Sequence, residues 1–160
     1  MRDEEFERLY AEHAGPLFSF LAYRTGDRAA AEDVLGEAFE RALRARFRFD
    51  RRRGSAKTWL YSIALNCLRD RARRADAERR ALERVGPAAP DPGAEIDRVE
   101  DRDLVMGALA KLSAEEREAL ALRFGGDLTV PEIARVTGES LTTMEGRVYR
   151  GLQKLRANLA

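Results

Sequence analysis

The chain has 160 residues, with 29 basic and 28 acidic side chains and a net charge of +1 at neutral pH. A single cysteine and a single histidine exclude a disulfide framework, a thiolate metal cluster and a histidine-based triad, and no glycine-rich phosphate loop is present. No apolar run approaches the roughly 20 residues that span a bilayer, and the N-terminus lacks a signal-peptide pattern. We therefore expect a cytoplasmic protein without membrane insertion that is not an enzyme and needs no cofactor or metal.

Apolar residues recur at helical spacing from the start of the chain. A first helical stretch carries an apolar face from Phe6 to Leu21 and ends at Gly26, where a left-handed residue can terminate a helix. Gly15-Pro16 predicts a bend or an interruption within this stretch. Asp27 can cap a second helix, in which apolar residues from Val34 to Ala42 recur at intervals of three and four.

A charged loop at residues 50–55 precedes a third helix, which continues into an arginine-rich end at residues 69–80. The inward positions predicted for this helix are Trp59, Leu60, Ile63, Ala64, Cys67 and Leu68.

Residues 47–74 interleave aromatic rings with cations. The rings are Phe47, Phe49, Trp59 and Tyr61, and the nine cations are Arg48, Arg51, Arg52, Arg53, Lys57, Arg69, Arg71, Arg73 and Arg74. Rings that stack on unpaired bases, with cations that follow the backbone, are typical of single-stranded nucleic-acid binding. Alternatively, the rings form the core and the arginines keep the helix soluble. We favour a core position for Trp59, because Ile63 lies one turn further along the same face.

Charge is distributed in blocks that the net value hides. Residues 51–80 hold ten basic and three acidic side chains, whereas residues 91–103 hold six acidic and two basic ones. Three prolines and two glycines within residues 86–93 predict a linker. Such separated blocks of charge are expected when one part of a chain meets phosphates and another part must avoid or imitate them.

Two capping boxes mark helix starts in the C-terminal part of the chain. The first, Ser113 with Glu116, opens a helix that contains Leu120, Leu122 and Phe124 and stops at Gly125-Gly126. The second, Thr129 with Glu132, opens a short helix, and 137–140 supplies a turn in which Ser140 can cap the next helix. The elements predict an all-α protein with two small helical domains, 1–84 and 98–160, joined by a flexible acidic linker at 85–97.

The last helix has two contrasting faces. Apolar residues return at Met144, Val148, Leu152 and Leu155, and the opposite side carries Thr142, Thr143, Arg147, Arg150, Lys154 and Arg156. A helix-turn-helix whose second helix has such a face suits the DNA major groove. The alternative is an ordinary helical hairpin with a solvated basic face.

These motifs resemble two conserved regions of extracytoplasmic-function (ECF) sigma factors. The second region is matched by Ala31-Glu32-Asp33-Val34-Leu35-Gly36-Glu37-Ala38-Phe39, by Phe49-Asp50 with Gly54-Ser55, and by residues 58–66. The fourth region is matched by residues 109–113, Arg117, Leu120, residues 122–124 and the helix-turn-helix. The resemblance implies a bacterial initiation factor that gives RNA polymerase core enzyme its promoter specificity. The open alternative is a helix-turn-helix regulator that dimerises on an operator.

The resemblance also implies three sets of site residues. Contacts with the clamp helices of the largest polymerase subunit are expected from Asp33, Leu35, Gly36, Glu37, Phe39 and Glu40. The −10 element is expected to meet Arg51, Arg52, Arg53, Ser55, Lys57, Trp59, Asn66, Arg69 and Arg73, with Asn66 at a flipped-out base. The −35 element is expected to meet Thr142, Thr143, Glu145, Gly146, Arg147, Tyr149, Arg150 and Lys154, with Arg147 toward the DNA backbone. An anti-sigma partner is expected as well, because no sensory domain is evident.

Four residues depart from the family pattern. Gly36 stands where glutamine is usual, Glu139 where an apolar residue is usual, Glu145 where a basic residue is usual, and Gly146 where a small hydroxyl is usual. A carboxylate in the groove can accept a hydrogen bond from cytosine but repels phosphate. We therefore expect modest −35 affinity, and weak DNA binding without the polymerase.

Overall fold

In the computed structural model, residues 1–83 and 100–160 are described, and the predicted linker at 85–97 lies outside them. These two ranges contain helices and no strand, so the predicted all-α fold is confirmed for them. The N-terminal region comprises α1 (Asp3–Thr25), α2 (Arg28–Ala45), a 3₁₀ turn (Arg46–Arg48) and α3 (Ala56–Glu83). The C-terminal region comprises α4 (Glu100–Ala110), α5 (Ala114–Leu120), a π-helical turn (Ala121–Gly125), α6 (Val130–Thr137) and α7 (Leu141–Leu159).

Helix α1 runs unbroken through Pro16, so the predicted interruption does not occur. Proline removes one backbone hydrogen bond, but Leu9 and Leu17, on either side of it, are both buried. Packing of this apolar face outweighs the lost bond. Gly26 ends the helix with a left-handed φ of 69°, and Asp27 caps α2 by accepting hydrogen bonds from two backbone amides, as predicted.

The two regions share one continuous apolar core. Buried side chains of α1, α2 and α3, such as Leu17, Val34 and Leu60, belong to the same cluster as Leu122 and Ile133 of the C-terminal region. A smaller cluster joins α4 and α5 to α7, and Tyr23 of α1 packs against it. The sequence predicts two domains but not this close packing between them.

The π-helical turn shapes the contact between the regions. Its wider turn, closed by a hydrogen bond of 2.9 Å from the amide of Gly126 to the carbonyl oxygen of Ala121, changes the direction of the following side chains. Within this turn Leu122 is buried, whereas Phe124 is 56% exposed. Among the helices of the described ranges, none is long and apolar enough to cross a membrane.

Candidate nucleic-acid interface

The helix-turn-helix forms through the predicted local signals. Thr129 and Glu132 make both hydrogen bonds of the capping box, at 3.3 and 2.9 Å. Gly138 ends α6 with a left-handed φ of 75°, and the hydroxyl of Ser140 accepts a hydrogen bond of 3.1 Å from the amide of Thr143 at the start of α7. These caps fix the angle at which α7 leaves the turn.

Helix α7 packs on α4, α5 and α6 along one side only. Met144 is buried, and Gly151 lies against Leu120, where a β-carbon would stand 3.3 Å from the leucine side chain. We call the opposite side the outward face; its positions are Thr142, Thr143, Glu145, Gly146, Tyr149 and Arg150. Five of these residues are exposed and Gly146 is partly so, which agrees with the predicted accessible surface.

Two predicted −35 residues do not lie on the outward face. The side chain of Arg147 is only 17% exposed and forms ion pairs with Glu115 and Glu139, at 3.7 and 3.8 Å. Lys154 lies 2.9 Å from a carboxylate oxygen of Glu116, and this hydrogen-bonded pair holds the pKa of Glu116 below its usual value. Both side chains therefore hold α7 against neighbouring parts of the C-terminal region. Glu139, at the position of the usual apolar plug, is exposed and pairs with Arg147 instead.

The segment 50–58 is a compact turn that leads into α3. The carboxylate of Asp50 accepts a hydrogen bond of 3.0 Å from the amide of Arg52, and the hydroxyl of Ser55 accepts one of 3.1 Å from the amide of Thr58. Arg51 pairs with Glu5 of α1 at 2.7 Å, whereas the side chain of Arg52 is 91% exposed. Arg52 also pairs with Asp50 at 3.3 Å, so the loop holds a defined shape while its arginine side chains stay exposed.

The aromatic rings of residues 47–74 divide into two kinds. Phe47 is exposed with Arg46 above its ring, and Phe49 and Trp59 are half-buried with ring centres 5.2 Å apart. Tyr61, in contrast, is completely buried. The core position favoured for Trp59 holds only in part, and the ring that fills the core is Tyr61.

Three further predicted −10 residues lie exposed along α3: Asn66, Arg69 and Arg73. Arg69 donates a hydrogen bond of 3.3 Å to the Asn66 side chain, and Arg73 pairs with Asp70. Asn66 therefore lies on the accessible side of α3, next to a cation.

The C-terminal region covers part of segment 50–58. The ammonium group of Lys57 donates a hydrogen bond of 3.1 Å to the carbonyl oxygen of Asp127 and lies 3.5 Å from a carboxylate oxygen of Glu132. Arg135 of α6 donates a hydrogen bond of 2.9 Å to the carbonyl oxygen of Arg53. Burial alone would raise the pKa of Glu132, but hydrogen bonds from Thr129 and the charge of Lys57 hold it below its usual value. Sequence patterns predict Lys57 and Arg53 as contact residues but not their partners.

The backbone at Gly125 and Gly126 lies close to α1 and α3 and so joins the two regions. The hydroxyl of Tyr61 donates a buried hydrogen bond of 3.0 Å to the carbonyl oxygen of Gly126, and burial raises the pKa of this tyrosine. A β-carbon at Gly125 would lie 3.1 Å from Cα of Phe20, and one at Gly126 would lie 3.0 Å from the Tyr61 ring. The Gly125-Gly126 pair, predicted only as a helix stop, is the sequence signal for this contact.

The predicted polymerase surface on α2 is partly accessible. Asp33, Gly36 and Glu40 are exposed, Leu35 and Glu37 are half-buried, and Glu37 pairs with Arg41 at 2.6 Å. Phe39 is only 7% exposed and packs on the rings of Phe6 and Tyr10, so the structure contradicts its prediction as a surface contact. Its apolar ring is more stable in the core than in water.

Comparison with known proteins agrees with this geometry. Residues 9–78 match the family Sigma-70 region 2, and residues 102–155 match Sigma-70, region 4. The ECF RNA polymerase sigma factor SigL of Mycobacterium tuberculosis is 30% identical over 94% of this chain and 86% of its own length. BldN of Streptomyces coelicolor is 29% identical over 95% of this chain, which spans 60% of BldN. A structure of CnrH in complex with the cytosolic domain of CnrY covers 99% of this chain and 89% of its own, with a TM-score of 0.70 and 28% identity.

Two sigma regions in this order, each on a helical unit, define a transcription initiation factor. The chain belongs to the ECF RNA polymerase sigma factors of the sigma-70 family. The family resemblance inferred from the motifs is thus confirmed.

Proposed function

We propose that this sigma factor divides promoter recognition between its two regions. The C-terminal region recognises the −35 element as duplex through the outward face of α7. The observation that carries this assignment is that α7 turns Thr142, Tyr149 and Arg150 to solvent while Met144 anchors its other side. Arginine and threonine on an exposed helix can contact base edges and phosphates in the major groove.

The N-terminal region captures the opened −10 element. Support comes from exposed cations in segment 50–58 and α3, from the partly accessible rings of Phe49 and Trp59, and from exposed Asn66. Flipping a base costs on the order of a few kcal/mol. Stacking on an aromatic side chain returns about 1–3 kcal/mol per base, so the small helical region needs the polymerase to complete opening.

Promoter binding requires the two regions to separate. Positions −35 and −10 are about 25 base pairs apart, which is about 85 Å along duplex DNA at 3.4 Å per base pair. The C-terminal region in the structure instead contacts segment 50–58, through Arg135 on Arg53 and through Glu132 on Lys57. The described arrangement is therefore a closed form, and binding to core polymerase in the cytoplasm opens it. The exposed positions Asp33, Gly36 and Glu40 of α2 supply the first polymerase contact.

An anti-sigma protein is proposed to hold the closed form. CnrH, a relative in fold and sequence, is known in complex with the cytosolic domain of CnrY. In this chain an apolar groove of about 310 Å³ lies between α1, α4, α7 and the π-helical turn, so a ligand in it would touch both regions. It is lined by Tyr23, Val105, Leu109, Phe124, Leu152 and Leu155. A partner helix seated there would stabilise their contact.

Run-off transcription on a genomic library, with this chain and core polymerase, tests the proposal. We expect promoter-specific transcripts and permanganate-reactive thymines at −10 only when both are present. Melting by the chain alone would contradict the proposed need for the polymerase. Binding of duplex DNA without stoichiometric binding of core polymerase would instead indicate a conventional operator-binding regulator.

A further inference from the structure

Gly146 lies near the centre of the outward face of α7. At about 100° per residue, it is rotated by about 170° from the mean direction of Met144, Val148, Gly151 and Leu155, which face the protein. The two glycines of α7 therefore have different surroundings. Gly151 is buried against Leu120, whereas Gly146 is partly exposed and the atoms nearest to its β-carbon position belong to α7 itself.

The three atoms nearest to a β-carbon built at Gly146 all belong to the guanidinium group of Arg150, one turn further along α7. A β-carbon at position 146 would lie 2.9 Å from Nη1, 3.5 Å from Cζ and 3.6 Å from Nη2 of Arg150. The first distance is too short for a real β-carbon contact. The guanidinium group therefore occupies the space that any side chain at position 146 would need.

Arg150 is also free to contact a ligand. Unlike Arg147 and Lys154, it has no ion pair or side-chain hydrogen bond within the described ranges, and neither has Glu145. An arginine held close to the helix surface can reach base edges at the floor of the major groove, where it forms a bidentate contact with guanine. An arginine displaced outward lies nearer to the phosphates, which carry little sequence information.

We propose that Gly146 is a specificity-determining residue that positions Arg150 for base recognition. The inference rests on the proposed −35 role of α7. A glycine inside a helix lowers its stability, and no packing contact of Gly146 requires one. Because glycine has no side chain, the guanidinium group has room near the helix axis. For the same reason, the α7 backbone can approach the base pairs closely. Gly146 thus acts through Arg150 and contacts no base itself.

The test measures base preference and stability together. Holoenzyme formed from the full chain and core polymerase is used to select −35 sequences from randomised duplex, for the native chain and for Gly146→Ala, Arg150→Ala and the double variant. We expect Gly146→Ala to raise Tm by about 2–4 °C, because alanine favours the helix. It should reduce the preference for guanine at the Arg150 position by about fivefold or more.

Gly107→Ala in α4 is the matched control, because this glycine is likewise inside a helix but a β-carbon at its exposed position meets nothing within 4 Å. It should raise Tm similarly and leave the −35 preference unchanged. In the Arg150→Ala background, Gly146→Ala should cause no further change in preference. An unchanged preference in Gly146→Ala, or an equal change with and without Arg150, would overturn the positioning role. If the native holoenzyme selects no −35 sequence at all, the proposed function of α7 fails, and this role fails with it.

Discussion

The hydroxyl of Tyr61 in α3 donates a buried hydrogen bond of 3.0 Å to the carbonyl oxygen of Gly126, in the other region of the chain. The ring of Phe20 lies 6.0 Å from the Tyr61 ring, so α1 and α3 both support this contact. In an open form, water would satisfy both polar groups. Without the tyrosine hydroxyl, the Gly126 carbonyl oxygen would lack a donor in the closed form only, so the hydrogen bond stabilises that form relative to the open one.

Tyr61→Phe should shift the chain toward the open form. The substitution keeps the ring but leaves the Gly126 carbonyl oxygen without its donor, a cost of about 1–2 kcal/mol to the closed form. Energy transfer between dyes on Glu7→Cys and Arg156→Cys, in a Cys67→Ala background, reports the separation of the regions. We expect lower transfer efficiency for the variant.

Tyr149→Phe is the control for this substitution, because Tyr149 is exposed on α7 and, among the described residues, its hydroxyl accepts a hydrogen bond from Gln153 alone. It should leave the transfer efficiency unchanged. Equal efficiencies for Tyr61→Phe and the native chain would show that the buried hydrogen bond does not hold the regions together.

Removal of the Arg135 side chain should uncover segment 50–58. Arg135→Ala deletes the hydrogen bond to the Arg53 carbonyl oxygen without touching the caps of α6. Because this contact is exposed, we expect only about a threefold gain in affinity of the free chain for single-stranded −10 DNA. Fluorescence anisotropy measures this affinity, with a labelled non-template strand from a promoter that the holoenzyme opens. Arg156→Ala, which removes another exposed arginine, should not raise the affinity; equal effects of the two variants would refute the covering role.

Substitutions at Gly36 separate helix stability from polymerase contact. A β-carbon here would meet nothing within 4 Å, so both Gly36→Ala and Gly36→Gln should raise the free energy of unfolding by roughly 0.5–1 kcal/mol. Only Gly36→Gln, which supplies the side chain usual in the family, should also tighten binding to core polymerase. Urea denaturation and a core-binding titration distinguish the two effects. Equal core affinity for both variants would argue that position 36 makes no side-chain contact.

The ion pair between Lys154 and Glu116 predicts an acid-sensitive C-terminal region. Hydrogen bonding to Lys154 holds the pKa of Glu116 below its ordinary value of 4.5. Because the folded pKa is the lower one, the stabilisation is complete above that ordinary value and is lost as pH falls through the lowered pKa. Glu116→Gln keeps an acceptor for the capping box but removes the ion pair. Its free energy of unfolding should therefore be lower than that of the native chain at pH 7, and the difference should shrink in acid.

Urea denaturation from pH 7 to pH 3 measures this difference. Glu145→Gln, which removes a carboxylate with no ion pair in the described ranges, should be neutral throughout. A deficit for Glu116→Gln that stays constant with pH would contradict the proposed role of the ion pair.

Local signals in the sequence predict much of the fold. The caps at Asp27, Ser113 and Thr129 depend on side chains two or three residues from the amides they bind, so short sequence windows contain them. The same is true of the two faces of α7. Together with the family motifs, these signals predict the helices and the outward face.

Contacts between distant segments are not predictable in this way. Phe39 belongs to the core because Phe6 and Tyr10 of another helix cover it, and Tyr61 is buried because Gly126 approaches its ring. A helical period shows that these residues share a face, but it does not show what packs on that face. The partners of Arg147 and Lys154 are missed for the same reason.

The closed form covers the two proposed promoter-binding surfaces to different extents. Lys57 and the Arg53 carbonyl oxygen are engaged by the C-terminal region, while the outward face of α7 stays uncovered. On the proposed assignment, a free molecule can bind double-stranded DNA through α7. Its surface for unpaired bases stays covered at the same time. Strand capture then waits for the polymerase, so the order of events at a promoter is built into the way the chain folds on itself.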